Sequence, residues 1–186
     1  MPVIPVIETA RLMLRRPCLD DAPSVRRIHS IFEVANGVLT IPHPYPEGEE
    51  VRLIERWNQR YDEDLAVGFV IIWRTTGDVI GVIGCSLDND HKRAHMGYVI
   101  DPPYWGRGIA TEAGRALVDC VFRTTDMHKI DAAHYPDNPA SGRVLQKLGF
   151  TYEGTRREHF LRFGEFRDSL FYGLIRTEHE RTRDAT

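Results

Sequence analysis

From Ala10 to Arg16 the chain alternates apolar and basic positions, ARLMLRR, and a period of two predicts a strand with Leu12 and Leu14 on one face. The period then lengthens. Val25, Ile28 and Phe32 recur at helical spacing behind Asp20, which stands where a helix cap is expected. A turn-rich IPHPYPEG follows, and Val51, Ile54, Trp57 and Tyr61 mark a second helix. GFVIIWR, Gly68 to Arg74, reads as a buried strand that Thr76-Gly77-Asp78 turns back into VIGVIGCSL, Val79 to Leu87. HMGYVI, His95 to Ile100, is a further strand, stopped by Asp101-Pro102-Pro103 because proline cannot continue a hydrogen-bonded ladder.

In the second half, ATEAGRALVDCVF (Ala110 to Phe122) carries Ala113, Leu117, Cys120 and Val121 on one helical face, and HKIDAAHY is a strand. NPASGRVLQKLGF opens a short helix at Asn138 and ends it at Gly149, a C-cap position. Thr151 to Leu174 reads as two strands joined at Phe163-Gly164-Glu165. The predicted order is β-α-α-β-β-β-α-β-α-β-β, without repeat or linker. It implies one mixed sheet covered by helices.

At 186 residues, 42% hydrophobic and 27% charged, the chain has the size and composition of a single domain, assigned to residues 1–186. A formal charge of -3 gives no bulk attraction for nucleic acid or an anionic membrane. The stretch from Thr151 to Thr186 holds seven arginines against seven acids, a solvated mixed-charge surface. MPVIPVIETA lacks a basic start and is broken by Pro2 and Pro5, so no leader peptide is expected, and no run spans a membrane; the expected location is cytoplasmic. Cys18, Cys85 and Cys120 are widely spaced without a C-x-x-C pair, which favours reduced thiols. His91 and His95 have metal-ligand spacing only on a helix, so no metal is expected.

The candidate chemistry lies in IDPPYWGRGIATEA, Ile100 to Ala113, where a strand passes through a glycine loop into a helix. Such a junction presents unpaired backbone N–H groups and the positive end of the helix dipole to an anion. Gly106 and Gly108 leave the backbone open to a phosphate, or they serve only to turn the chain. No Gly-Lys-Ser/Thr is present for a nucleotide P-loop. A dinucleotide fingerprint has Thr111 where its third glycine belongs, and too few βαβ units follow.

Four segments, ETARLMLRR, IPHPYP, IDPPYWGRGIATEA and NPASGRVLQKLGF, together with GEFRDSLFYGLIR near the end, resemble the GNAT acetyltransferase superfamily and its RimJ/RimL-like branch of ribosomal-protein N-terminal acetyltransferases. The resemblance implies the family's α/β acyl-CoA N-acyltransferase fold, a central mixed and mostly antiparallel sheet flanked by helices, with a motif core near 95–150. It also implies acetyl-CoA as co-substrate and an amine acceptor, either a small molecule or a protein N-terminus, with a homodimer as an expected assembly. The family's Gln/Arg-x-x-Gly-x-Gly/Ala signature falls on Trp105, Gly108 and Ala110. Trp105 replaces the usual polar residue.

By this resemblance Ile100 offers its backbone N–H to the thioester carbonyl. Trp105, Gly106, Arg107, Gly108, Ile109 and Ala110 contact the diphosphate, and Asn138 contacts the coenzyme or caps its helix. His95 stands where the branch often has Glu, and a neutral imidazole suits a general base near neutral pH. Leu145 occupies a position where many members place an acidic tyrosine. That leaves Ser141, one turn earlier, as the candidate acid, or as a first-turn residue bonded to Asn138. His43 and His134 are expected to be structural, and Tyr45, Trp57 and Tyr61 to pack or to border an acceptor pocket. Two further readings are a non-catalytic acyl-CoA-binding module on the same fold and a nucleotide-binding oxidoreductase.

Overall fold

The computed structural model describes residues 6–184; positions 1–5, which carry part of the leader reading, lie outside the described residues. After two short strands, β1 (Ile7–Glu8) and β2 (Leu12–Arg15), come three helices: α1 (Ala22–His29), α2 (Phe32–Asn36) and α3 (Glu49–Asp62). Strands β3 (Ala66–Trp73), β4 (Val79–Asp88) and β5 (Arg93–Ile100) then lead into α4 (Ile109–Thr124). The remainder is β6 (Lys129–His134), α5 (Pro139–Lys147), β7 (Thr151–Arg162), β8 (Glu165–Ile175) and α6 (Arg176–Asp184). The strands form one sheet in the order β1-β2-β3-β4-β5-β6-β8-β7. All neighbours are antiparallel except β5 and β6. This is the mixed sheet that the alternating segments predicted.

Each face of the sheet has its own core. Leu12, Leu14, Phe69, Ile71, Ile83, Met96 and Ile130 pack against Ile109, Leu117 and Val121 of α4 and Leu145 of α5. On the opposite face Val70, Ile72, Val82 and Val99 pack against Val25 and Ile28 of α1 and Ile54 of α3. The period of two in the strands and the longer period in the helices supply these two faces. The second core takes its strand residues from β3, β4 and β5, so α1–α3 leave the β6-β8-β7 half of their face uncovered by a hydrophobic layer.

Several predicted details differ. Asp20 caps nothing; Leu19–Asp21 is a tight 3-10 turn, and the carboxylate of Asp21 is the one drawn inward. It accepts from both terminal nitrogens of Arg15 at 2.7 Å and from Cys18 N at 2.8 Å. These bonds hold the Asp21 carboxyl below its ordinary range against the opposing cost of burial. The helix through Val25, Ile28 and Phe32 is broken at Ile31, which is extended, leaving Phe32 half exposed on α2. Ser30 Oγ donates to Arg26 O at 2.7 Å at this break. Helix α6 was not foreseen because it has no apolar stripe. It docks through polar contacts, with Arg176 donating to the carbonyls of Phe122, Thr125 and Met127, and His179 2.7 Å from Asp119. All three cysteines are free, Cys85 and Cys120 buried and Cys18 exposed.

His29 sits at the end of α1 with its ring edge-on to Tyr45 at 5.4 Å, and both ring nitrogens are buried without a partner. Burial lowers its pKa from 6.5 to about 4. The folded state therefore keeps His29 neutral while the unfolded chain takes up a proton below pH 6.5. Stability present above that pH should fall as the pH drops towards 4, by about 3 kcal/mol from this residue. Urea unfolding at stepped pH should show that slope in the native protein and lose it in His29→Leu.

Candidate active site

Strands β5 and β6 are paired only at their starts: Arg93 opposite Lys129, Ala94 opposite Ile130, and His95 opposite Asp131. Beyond that pair they separate. Along β4, β5 stays in register through Gly81 opposite Ile100, and Asp101 N–H donates to Ile80 O at 2.8 Å. Because successive peptide groups alternate across a strand, Tyr98 and Ile100 turn their N–H and C=O groups the other way, into the gap left by β6. The gap is thus lined on one side by backbone donors that no strand takes up.

The chain leaving β5 builds the mouth of this opening. Pro102–Tyr104 is a 3-10 turn, after which Gly106 and Gly108 take φ of 72° and 75°, the left-handed region that suits glycine. Gly108 is the N-cap of α4, whose first intrahelical bond is Glu112 N–H to Gly108 O at 3.0 Å. The N–H groups of Ile109, Ala110 and Thr111 precede that bond and have no partner within the helix. Ile109 is buried in the core, so it can offer a ligand only its main chain. Arg107 places its guanidinium over the Tyr104 ring at 5.5 Å. Trp105, expected at the diphosphate, turns its indole back to the strand: Nε1–H donates to Ile100 O at 2.6 Å and ties the loop to β5.

The acidic Glu112 in the first turn of α4 would oppose an anion there, but it is neutralised. It accepts from Thr9 Oγ1 at 2.6 Å, from Arg11 N at 2.9 Å and from Arg11 Nε at 2.7 Å. Arg11 also donates to Arg107 O at 3.0 Å, which brings a cation beside the glycine turn. Neither Thr9 nor Arg11 stood out in the sequence as part of the site, since their partners lie about a hundred positions away.

Across the gap, Tyr98 on β5 and Ser141 on α5 share a hydrogen bond, Oη to Oγ, at 2.7 Å. Burial pushes the Tyr98 phenol above its ordinary pKa, with the Ser141 bond pulling the other way, so the pair holds its protons. Tyr98 was missed by the sequence reading, which placed it only within the HMGYVI strand. Leu145 is 1% exposed and belongs to the core. Asn138 caps α5, its Oδ1 accepting from Ser141 N at 3.2 Å. Ser141 is thus the first-turn residue bonded to Asn138, through its N–H alone, and its hydroxyl is left to face Tyr98.

On the opposite face, His95 Nδ1 contacts Asp131 Oδ1, the side chains being 56% and 23% exposed. Gly97 lies next along the same face, where an added Cβ would meet nothing within 4 Å. His134 is structural: its Nδ1 is 2.7 Å from Tyr135 O, its ring stacks on Tyr172, and its Nε2 lies against Gly142. His43 is exposed beside the Phe32 ring, Tyr45 and Trp57 pack against the second core, and Tyr61 lies under the Arg16 guanidinium at 4.2 Å. Among the described residues no group of His, Cys, Asp and Glu could hold a metal ion, and no helix is long and apolar enough to cross a membrane.

The acetyltransferase (GNAT) domain family matches residues 11–151. An uncharacterized N-acetyltransferase of Bacillus subtilis, YoaA, is 30% identical over 94% of this chain and 98% of its own length. The [ribosomal protein uS5]-alanine N-acetyltransferase of Escherichia coli is 31% identical over 71% of this chain and 69% of its own. Among solved structures, a RimL ribosomal L7/L12 alpha-N-protein acetyltransferase in complex with coenzyme A superposes with a TM-score of 0.83. It is 21% identical and covers 92% of this chain and 97% of its own.

Removing the cap should separate architecture from chemistry. Asn138→Ala leaves the first-turn N–H of Ser141 with one acceptor fewer, and thermal or urea unfolding should show a loss of about 1 kcal/mol.

Proposed function

The chain belongs to the GNAT family of N-acetyltransferases, and from that premise we propose that it transfers acetyl from acetyl-CoA to a primary amine by direct attack in a ternary complex. The acceptor is a small-molecule amine or a protein N-terminus, and residues 1–186 act as one domain. The observation that carries this reading is the gap between β5 and β6, with free backbone donors along one wall and the glycine-capped start of α4 at its mouth.

Bound acetyl-CoA supplies the thioester and a diphosphate. In this reading Ile109, Ala110 and Thr111 hold the diphosphate through their N–H groups, and the left-handed turns at Gly106 and Gly108 keep side chains out of its way. Ile100 N–H receives the thioester oxygen as negative charge grows on it, while Tyr98 N–H, about 7 Å back along the same wall, is left for a second acceptor on the coenzyme's arm. Trp105 fixes that wall by holding the Ile100 carbonyl. Asn138 stays with its cap and braces α5 at the same mouth.

His95 takes the proton from the incoming amine. His95 lies five positions from Ile100, about 17 Å along the strand, so a chain of waters carries the proton between the reacting nitrogen and the ring. Ser141 serves as the acid for the departing sulfur. The role requires Tyr98 to be the donor in its Oη–Oγ bond with Ser141, which leaves the serine proton free to point at sulfur, and this pairing substitutes for the tyrosine that Leu145 displaces.

Release of thiol from acetyl-CoA across a panel of amines and peptide N-termini tests the reading. Amine-dependent release is expected; tight binding of acetyl-CoA with no release for any amine would leave an acyl-CoA-binding module. Two variants sharpen it. Gly108→Val forces a branched side chain into φ of 75° at the anion-facing turn, and calorimetry should find acetyl-CoA binding abolished in a variant whose circular dichroism is unchanged. Ser141→Ala should lower kcat by about tenfold or more with little change in Kd for acetyl-CoA, because its bond strengthens only as charge develops on sulfur.

A further inference from the structure

We propose that Asp131 is a positioning residue for the acetyl transfer: it holds the Nδ1–H of His95, so that the lone pair of the base stands on Nε2 at the open side of the strand gap. This rests on the reading of His95 as the base. The two residues are register partners and form the last pair before β5 and β6 separate. Their contact therefore sits at the apex of the gap, where the sheet is still closed and the backbone fixes both Cα positions.

A carboxylate can only accept, so its contact with Nδ1 places the proton on that nitrogen and leaves Nε2 free to take another. A neutral imidazole left to itself in water prefers the opposite arrangement, with its proton on Nε2 and no base at that position. Asp131 reverses the preference. Its side chain is the more enclosed of the two, 23% exposed against 56% for His95, which suits a fixed anchor and an accessible ring. The next residue on that face is Gly97, and the empty space above it gives an amine or a water access towards the ring.

The surrounding charges are already engaged. Arg93, on the same face of β5, donates to Asp88 at 2.9 Å while its charge is also felt by Asp131. Lys129, on the same face of β6, donates to Glu153 at 2.6 Å across Gly173 of β8. Ser86 stands opposite His95 on β4 and carries no charge. Asp131 is left as the carboxylate in contact with the ring. The pair was not legible beforehand, because its members lie 36 positions apart and Asp131 reads as one polar position in a strand.

Nitrogen-15 spectra of the imidazole at a pH where it is neutral read the proton's place directly. Native His95 should show Nδ1–H, and Asp131→Ala should move the population towards Nε2–H. The same variant should lose about tenfold or more in kcat, with a shifted pH profile and an unchanged Kd for acetyl-CoA. Asp131→Glu should restore part of the rate, and Asp131→Asn replaces the alanine variant should that one not fold. In a His95→Ala background, Asp131→Ala should add nothing. A native kcat and pH profile in Asp131→Ala, alongside an impaired His95→Ala, would overturn this proposal and leave the acetyl transfer standing. Full activity in His95→Ala would remove the base assignment and this proposal together, whereas failure of every amine in the thiol-release assay would count against the enzyme itself.

Discussion

The structure depends on one junction in the sheet: among the described residues β5 and β6 are the only parallel neighbours, and they separate after three residue pairs. A parallel connection needs a crossover, which α4 supplies, and the helix must begin close to the end of β5. The Asp101–Gly108 turn achieves this within a few residues. One requirement of topology thus brings a row of unpaired strand donors next to a helix N-terminus. Both features are electropositive, and both face the same opening.

The rest of the chain stabilises that arrangement. Antiparallel pairing of β4 with β5 over eight residue pairs keeps one wall rigid while the other departs. Arg11 and Thr9 tie the start of α4 to the β1–β2 corner through Glu112, and Arg27 reaches Asp101 at 2.5 Å to hold the turn from the other face. The β7–β8 hairpin returns to the first helices: Arg162 donates to Ala35 O and Ile41 O, and Phe163 stacks on Phe32 at 5.9 Å. These contacts span most of the chain length. They explain why the residues at the gap come from elements so far apart in sequence.

Much of this was legible beforehand. Alternation at Leu12 and Leu14, the apolar run from Gly68 to Arg74 and the turn that leads it into Val79 to Leu87 predicted strands that exist, and the glycine loop was recognisable because backbone geometry there demands glycine. Local signals with a steric cause are readable from one sequence. The misses have a different origin. Asp20 and Asp21 are chemically equal in the sequence, and only the position of Arg15 in the folded chain selects the second. Helix α6 is held by the carbonyls of another helix's end, which no periodicity reveals. Tyr98 with Ser141, and His95 with Asp131, are pairings created by the sheet. The candidate residues His95 and Ser141 were named from resemblance, but the partners that give each a chemical direction required the fold.

The account stands on the claim that the β5 wall of the gap receives the thioester. Backbone amide chemical shifts during a titration with acetyl-CoA test it most directly. The account predicts that the largest downfield changes fall on Tyr98 and Ile100 in the wall and on Ile109, Ala110 and Thr111 at the helix start, all saturating at one concentration. Saturable binding that leaves Tyr98 and Ile100 unmoved while shifting residues elsewhere on the sheet would contradict it.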